Sequence, residues 1–291
     1  MHVFLKGPYG GQLLSAIARD GNNQMFPLAV AVAESENKSS WIWFLENLVS
    51  ALGRCSGMVF ISDRQKGLFE AVKKVTPANE HRFYMRHLYA NFKLGGFKDK
   101  YEKDAMWEAA CAYTQQGFQE KMDELKALNE AAHKWMLDQN VQNWARWKFS
   151  GLAKSAVIVN NLAESFNEMI MDARDKPIVT MLEMIRRQFM VRFQERLQYI
   201  QKFKGPLCPS IHKKLEGIKK WAKGCQCLYS RGRIFEVFNE LKTYLVDLDN
   251  CICTCRRWDL RGIPCIHGVA AIYTDKGKPE NYVHEFYHIS T

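Results

Sequence analysis

The chain has 291 residues, enough to bury the core of one large domain or two smaller ones. Its apolar fraction of 47% and charged fraction of 25% are ordinary for a globular protein, and no run is apolar for long enough to span a bilayer. The first residues lack the apolar core of a secretory signal. We therefore expect a soluble intracellular protein with no membrane partner.

The formal net charge of +10 is unevenly distributed along the chain. Residues 200–291 carry a net +6, and residues 202–223 contain seven lysines and a single acid. Clustered positive charge attracts polyanions through counterion release, so nucleic acid is a candidate partner. A solvated surface is the alternative, and charge alone does not decide between them.

The N-terminal part of the chain alternates between strand and helix patterns. Two apolar runs flank a turn rich in Asn and Gly, and apolar residues at helical spacing follow twice. The predicted elements are two strands within 12–33, a helix capped by Ser39-Ser40, a strand at 58–62 ending at Asp63, a helix at 67–75 and a strand at 81–88. This alternation predicts an α/β core with a mixed sheet over residues 1–97.

The composition changes after residue 97. Residues 98–150 are rich in Ala, Glu, Lys, Met and Trp without strand alternation, so we expect an all-helical insertion. Residues 151–204 are predicted to return to the core, with a strand at 157–159, a helix that carries Glu164 and a long amphipathic helix over 178–200.

The C-terminal third is predicted to form a separate small module. Gly205, Pro206 and Pro209 indicate a basic linker over 205–232. Residues 233–291 then form the module, which begins with a β-hairpin leading into a group of cysteines.

That cysteine group has the spacing of a metal site. Nine cysteines is an odd number, and six lie between 225 and 265 inclusive, which argues against a disulfide framework. Alternate side chains of an extended chain point the same way, so Cys-x-Cys and Cys-x-His each offer a pair of donors. Three thiolates and one imidazole fill a tetrahedral shell and predict structural zinc. The predicted ligands are Cys253, Cys255, Cys265 and His267.

The nine residues between the two pairs can turn back and support the site. Gly262 and Pro264 supply a turn, and Trp258 and Ile263 could form a small core beside the metal. The alternative is four buried side chains with no metal. The remaining cysteines of this region are rival thiols, more typical of core or surface positions: Cys225, Cys227 and Cys251.

Residues 253–267 closely resemble the SWIM zinc finger, in which Cys-x-Cys is followed by a short spacer and Cys-x-His. Every ligand position matches, and the spacer is similar to that of plant members. The resemblance implies a finger that binds DNA or protein partners, without indicating which.

Two carboxylates stand at positions suited to catalysis. Asp63 ends an apolar strand, and Glu164 lies near the start of a helix. Such groups can hold Mg²⁺ or Mn²⁺ for phosphodiester cleavage. The alternatives are a turn-forming Asp and a Glu that complements the helix dipole, and spacing alone favours these.

A second resemblance bears on these carboxylates. The stretches FLKGPYGGQLLSAIARDGNNQMFPLAVAVAESE, SSWIWFL, ISDRQKGL, HRFYMRHLYANF and NNLAESFNEMI resemble the transposase domain of plant Mutator-like elements and the far-red-response transcription factors derived from them. With the finger, the resemblance covers nearly the whole chain. It implies a ribonuclease-H-like fold, an Asp-Asp-Glu triad with Asp63 second and Glu164 third, DNA as partner and a nuclear location.

The sequence departs from that family pattern in two places. The first Asp and its strand would fall at Met1, so we expect both to be absent. The usual Cys-x-x-His after the second acid reads Tyr84-x-x-His87, which leaves His87 as a hydrogen-bonded sheet residue in the simplest interpretation. Two carboxylates position two cations poorly, so the resemblance implies impaired cleavage.

Three functions remain open from the sequence. The first is a transposase-derived, zinc-containing protein that associates with DNA and is catalytically impaired. The second is an active Mg²⁺-dependent transposase whose missing Asp comes from upstream sequence. The third is a zinc-stapled protein-interaction or transcription-regulatory module. None of the three calls for a small-molecule substrate, and the sequence does not indicate an oligomeric state.

Overall fold

The computed structural model describes residues 2–5, 10–53, 57–63, 65–159 and 161–290. The strands are β1 (His2–Phe4), β2 (Gln12–Arg19), β3 (Met25–Ala33), β4 (Val59–Ser62), β5 (Glu80–Phe83), β6 (Gln226–Arg231), β7 (Ile234–Asn239), β8 (Lys242–Asp247) and β9 (Ile252–Cys253). The helices are α1 (Lys38–Leu52), α2 (Lys66–Val75), α3 (Met85–Leu94), α4 (Lys100–Cys111), α5 (Gln115–Leu128), α6 (Glu130–Leu137), α7 (Asn161–Met169), α8 (Ile178–Gln201), α9 (Pro209–Ala222), α10 (Arg257–Arg261) and α11 (Ile266–Thr274). No helix among these residues is long and apolar enough to cross a membrane.

The chain divides into two compact units that do not follow the predicted domain order. The first comprises Met1–Leu88 and Val159–Lys204, and the second comprises Tyr89–Ile158 and Gly205–Thr291. The segment predicted as a helical insertion into the core therefore clusters with the cysteine-rich module.

The first unit is a layered α/β structure built on β2. Adjacent residues of a strand point to opposite faces of a sheet, and Leu13 and Leu14 are both fully buried. Leu14 packs with Trp41 of α1 and Val72 of α2, whereas Leu13 packs with Phe166 of α7 and with α8. Helices thus cover both faces, as the alternation of patterns predicted.

The strands of the first unit form two sheets within the described residues, not the single mixed sheet that was predicted. Strands β1, β2 and β3 are antiparallel, while β4 and β5 form a parallel pair. Strand β1 is present where the sequence predicted that a first strand was missing, and it pairs with β2 from His2↔Leu14 to Phe4↔Gln12. Met1, the predicted position of the absent Asp, lies outside the described residues.

Three local predictions in this unit are corrected. The N-cap of α1 is Asn37, whose side chain accepts from the backbone N–H of Ser40 at 3.0 Å. Strand β5 ends at Phe83 and α3 follows, so His87 is helical. The apolar residues of α3 recur at helical spacing, which the strand interpretation overlooked. Residues 157–159 form no strand.

The second unit combines helices α4 to α6 with a four-stranded antiparallel sheet in the order β6-β7-β8-β9. The predicted hairpin is its β7–β8 centre. The predicted linker over 205–232 is wrong, because it contains α9 and β6. Pro209 occupies the first turn of α9, where proline is favoured, and Ile211 and Leu215 are fully buried.

Candidate metal centre and acidic residues

The first two predicted ligands are positioned by the end of the sheet. Cys253 lies in β9 and pairs with Val246 of β8. The backbone N–H of Thr254 then donates to Leu245, so the chain stays extended through the Cys-x-Cys pair. Arg256 adopts a left-handed conformation, with φ of 58°, and turns the chain into α10. Both thiols are consequently buried on one side of the strand.

The other two ligands lie at the start of α11, not in the extended segment that was predicted. Cys265 is the N-cap residue, and its sulfur accepts from the backbone N–H of Gly268 at 3.4 Å. His267 lies in the first turn of the helix and is buried. Because the N-cap residue Cys265 has an extended backbone, its side chain folds back over the first turn, where His267 lies.

The four predicted ligands converge on one point. Their donor atoms all lie within 4.8 Å of one another, and all four side chains are buried. His267 Nδ1 is 3.5 Å from the sulfur of Cys253 and 3.8 Å from that of Cys265. Donors about 2.0 to 2.3 Å from a tetrahedral zinc would be separated by roughly these distances. We call this group the Cys3His cluster; its donor set and spacing fit zinc.

The thiols of the Cys3His cluster perturb one another. Donation from Cys253, with a further contribution from Cys265, holds the pKa of the Cys255 thiol far below its usual value. The pKa of Cys265 is raised because its side chain hydrogen-bonds to Cys253 and Cys255 and is buried. The Cys255 thiolate is therefore stabilised by the protons of the neighbouring thiols. A bound zinc ion would take the place of those protons.

The imidazole of His267 has a fixed orientation. Its ring stacks on Tyr244 with centroids 3.8 Å apart and planes 16° apart. Nδ1 faces the sulfurs, and Nε2 is buried without a hydrogen-bond partner in the part of the chain that the structure describes. The stack holds the ring plane, and the short distances from Nδ1 to the sulfurs make Nδ1 the nitrogen placed to bind a metal. Sequence spacing gave no indication of Tyr244.

A small core supports the Cys3His cluster from behind. Trp258 is 1% exposed and Ile263 is 2% exposed, so both residues expected in this core are buried. Gly262 has φ of 66° and ends α10, as the predicted turn requires. Gly268 lies against the Trp258 ring with no room for a side chain.

The finger is anchored to the helical segment of its own unit. Arg256 donates to the backbone carbonyls of Trp147 and Phe149, the latter at 3.0 Å. The hydroxyl of Tyr287 donates to the carbonyl of Lys154 at 2.8 Å. These contacts explain why residues 89–158 and 205–291 form one unit.

The three rival thiols lie outside the Cys3His cluster. Cys251 Sγ contacts the carbonyl of Leu248 at 3.7 Å, and burial raises its pKa. Burial also raises the pKa of Cys225 and of Cys227.

Asp63 follows β4 directly, as predicted, in a half-buried position. Its Oδ1 is buried and has no hydrogen-bond partner among the described residues. Ser62 Oγ donates to the Asp63 carbonyl at 2.7 Å and lies 2.8 Å from His81 Nε2. Burial lowers the pKa of His81 to about 4, which the Asp63 charge partly opposes. Burial and the same charge raise the pKa of Tyr84.

Glu164 lies in the first turn of α7, and its carboxylate forms an ion pair with Arg86 of α3. About half of each side chain is exposed. Among the described residues, the Cys3His cluster is the one group of three or more Cys, His, Asp or Glu donors close enough to share an ion. The catalytic role of Asp63 and Glu164 therefore stays a prediction.

Four buried protein donors that leave no open coordination position define a structural zinc-finger protein. Residues 244–276 match the family model of the SWIM zinc finger, and residues 2–91 match that of the MULE transposase domain. The chain thus carries an N-terminal MULE transposase domain and a C-terminal SWIM zinc finger, the combination that the sequence motifs indicated. No curated protein matches the chain.

Proposed function

We propose that this is a transposase-derived protein that associates with DNA in the nucleus, on a ribonuclease-H-like scaffold, and cleaves DNA poorly or not at all. The observation that carries the proposal is the contrast between a fully assembled zinc finger and a Glu164 carboxylate that is paired with Arg86. The match to a transposase domain supports DNA association, and a finger of the SWIM kind is compatible with either a DNA or a protein partner.

The surface charge of α9 supports the DNA assignment. Lys213, Lys220 and Lys223 are exposed on this helix and its C-cap. Lys219 is neutralised instead, because it lies 2.6 Å from Glu216 and 2.5 Å from Glu280. Exposed lysines on one short element favour contact with phosphates over burial in a protein interface.

The Arg86 ion pair supports impaired cleavage. A guanidinium that already occupies the Glu164 carboxylate competes with any Mg²⁺ or Mn²⁺ that this side chain would share with Asp63. Binding without cleavage is the expected behaviour of a scaffold that keeps its fold and its finger.

Duplex DNA binding across salt concentrations tests the proposal. We expect the affinity for a random 20-base-pair duplex to fall steeply between 50 and 200 mM salt, by roughly 10³-fold if about six phosphates are contacted. An affinity that is flat with salt, or an absence of binding, would rule out DNA association and leave the finger as a protein-interaction module.

A second candidate is an active Mg²⁺-dependent transposase. The buried, unpartnered Oδ1 of Asp63 at the end of β4 favours it, because a cation would supply the missing partner. The test is nicking of terminal-inverted-repeat DNA with Mg²⁺ by the full chain and by Asp63→Ala. Nicking that disappears in Asp63→Ala would establish the enzyme, whereas nicking that persists would exclude a role for Asp63.

A further inference from the structure

Three arginine side chains surround one tyrosine ring on the second unit. The guanidinium carbons of Arg146, Arg257 and Arg261 lie 4.7, 5.4 and 5.0 Å from the centroid of the Tyr113 ring. We call these three side chains the arginine cluster. Tyr113 is 9% exposed, so the ring on which they gather is fixed in the structure. Each cation is attracted to the ring face, but the three also repel one another.

The members of the arginine cluster differ in what holds them. Arg146 donates through Nε to the carbonyl of Ala156 at 3.0 Å and through a terminal nitrogen to that of Cys111 at 2.7 Å. Its guanidinium group is therefore held in place by backbone carbonyls of the helical segment. Its fixed charge keeps the space beside Tyr113 positive.

Arg257 and Arg261 differ from Arg146 in how their charges are placed. They stand four residues apart in α10, so they share a face of that helix. Neither forms an ion pair with an acidic side chain in the described parts of the chain. By contrast, Arg233 and Arg256 of the same unit are both paired with acids. Two adjacent unpaired cations beside a third repel one another unless an anion joins them.

The arginine cluster lines an open cavity of about 1090 Å³ beside the zinc ligands Cys255 and His267. Its wall also carries three acids: Glu108, which pairs with Lys121 at 2.9 Å, Glu120, which accepts from Gln116 at 3.0 Å, and the exposed Glu240. Five cationic side chains line the same wall, so positive charge is in excess: Lys121, Arg146, Lys242, Arg257 and Arg261. The volume lies at the upper end of the range for small-ligand sites, and the open cavity also admits a polymer that passes along it.

We propose that Arg257 and Arg261, supported by Arg146 and Tyr113, bind phosphate groups of a nucleic-acid backbone next to the zinc finger. This inference rests on the proposed DNA association and assigns it a surface. Planar guanidinium groups bind phosphate oxygens in a bidentate manner, and a phosphate between them relieves the repulsion within the arginine cluster. The zinc site fixes α10, because α10 lies between the two pairs of metal ligands.

The test compares two charge-matched double variants of the full chain. Arg257→Gln with Arg261→Gln removes the unpaired cations, whereas Arg186→Gln with Arg187→Gln removes two cations of α8 that pair with Glu183. We expect the first variant to bind a random 20-base-pair duplex roughly 30-fold more weakly, with the slope of log affinity against log salt reduced by about 2. The α8 variant keeps the wild-type slope.

Further readouts separate binding from folding. Zinc content of the Arg257→Gln, Arg261→Gln variant stays at the wild-type value, and its melting temperature changes little, because no ion pair is lost and the lost attraction to the Tyr113 ring is offset by relief of the repulsion among the three cations. Arg257→Lys with Arg261→Lys retains the charge but not the bidentate geometry, and binds with intermediate affinity.

Each contrary outcome has a distinct meaning. A wild-type protein that does not bind the duplex overturns the proposed function and this site together. A wild-type protein that binds while both double variants bind equally well overturns the site alone. Inorganic pyrophosphate that displaces the duplex at micromolar concentration would assign a small phosphate ligand and overturn the nucleic-acid assignment.

Discussion

The Cys3His cluster and the acidic pair are built in opposite ways. The four metal ligands lie within fifteen residues, and short backbone features place them: a strand end, a left-handed turn and a helix start. Asp63 and Glu164 are 101 residues apart in the sequence, so their relative position depends on the packing of the whole first unit. The Cys3His cluster is buried, whereas the Glu164 carboxylate is half exposed and paired. A local site can be assembled by its own metal; a distant pair depends on the fold around it.

The largest effect is expected from loss of a metal ligand. Cys265→Ser removes a thiolate from a buried tetrahedral shell and leaves two thiols and an imidazole facing a void. Zinc-finger peptides gain about 10 to 16 kcal/mol from the metal, so the second unit should lose its zinc and unfold. Zinc per chain and the far-ultraviolet circular dichroism spectrum measure this outcome.

Cys251→Ser is the matched control for that variant. Cys251 is a nearby, partly buried thiol outside the Cys3His cluster, so the control should keep one zinc and its fold. A Cys265→Ser protein that folds like the control without zinc would show that the finger is held by its apolar core alone. The Cys3His cluster would then depend on the packing around it, as Asp63 and Glu164 do, and the contrast between the two sites would disappear.

The next effect concerns the histidine beside Asp63. Burial lowers the His81 pKa from 6.5 to about 4. At pH values between these two, the unfolded chain therefore binds a proton at His81 and the folded chain does not. Stability is therefore insensitive to this group above pH 6.5 and declines as pH falls towards 4, by on the order of 3 kcal/mol. Urea denaturation at pH 4.5 and pH 7 measures the difference.

His81→Gln removes this titration. The variant should lose less stability than the wild-type protein between pH 7 and 4.5, while both proteins behave alike above pH 7. An unchanged pH dependence would mean that His81 is solvated, and that water also reaches the neighbouring Asp63 carboxylate. That result would weaken the case for a shielded cation at Oδ1.

The same contrast explains what the sequence could predict. The spacing of Cys-x-Cys and of Cys-x-His places each pair of donors close together, so the sequence predicted that these four side chains would form one group. The sequence could not reveal that α9 replaces the linker, because Pro209 is typical both of a linker and of a first helical turn. Nor could it place Arg146 beside Arg257, since that contact requires the helical segment to pack on the finger. The Arg86–Glu164 pair was missed for the same reason.

A smaller effect tests the packing behind the Cys3His cluster. A Cβ at Gly268 would lie 2.6 Å from the ring of Trp258, and that ring is fully buried and cannot move aside. Gly268→Ala should therefore destabilise the second unit by about 1 to 3 kcal/mol while zinc remains bound. Gly217→Ala in α9 is the control; its Cβ meets open space, and the loss of glycine should stabilise by about 0.5 to 1 kcal/mol. Equal effects of the two variants would contradict the packing argument.

The smallest effect is expected at the Arg86–Glu164 pair. Both side chains are about half exposed, so solvent screens the attraction and the pair should contribute less than about 1 kcal/mol, vanishing at high salt. Arg86→Gln, Glu164→Gln and the double variant form the cycle that measures it.

The same Arg86→Gln variant decides what Glu164 is for. If Arg86 only occupies a carboxylate that could hold a cation, its removal should leave stability nearly unchanged and increase the rise in melting temperature caused by Mg²⁺. Addition of Asp63→Asn should abolish that rise, because the buried Oδ1 supplies the other ligand. A coupling energy above about 2 kcal/mol, with no response to Mg²⁺, would instead make the pair a structural element. The acidic residues would then resemble the Cys3His cluster in stabilising the fold, and Glu164 would serve an ion pair instead of a cation site.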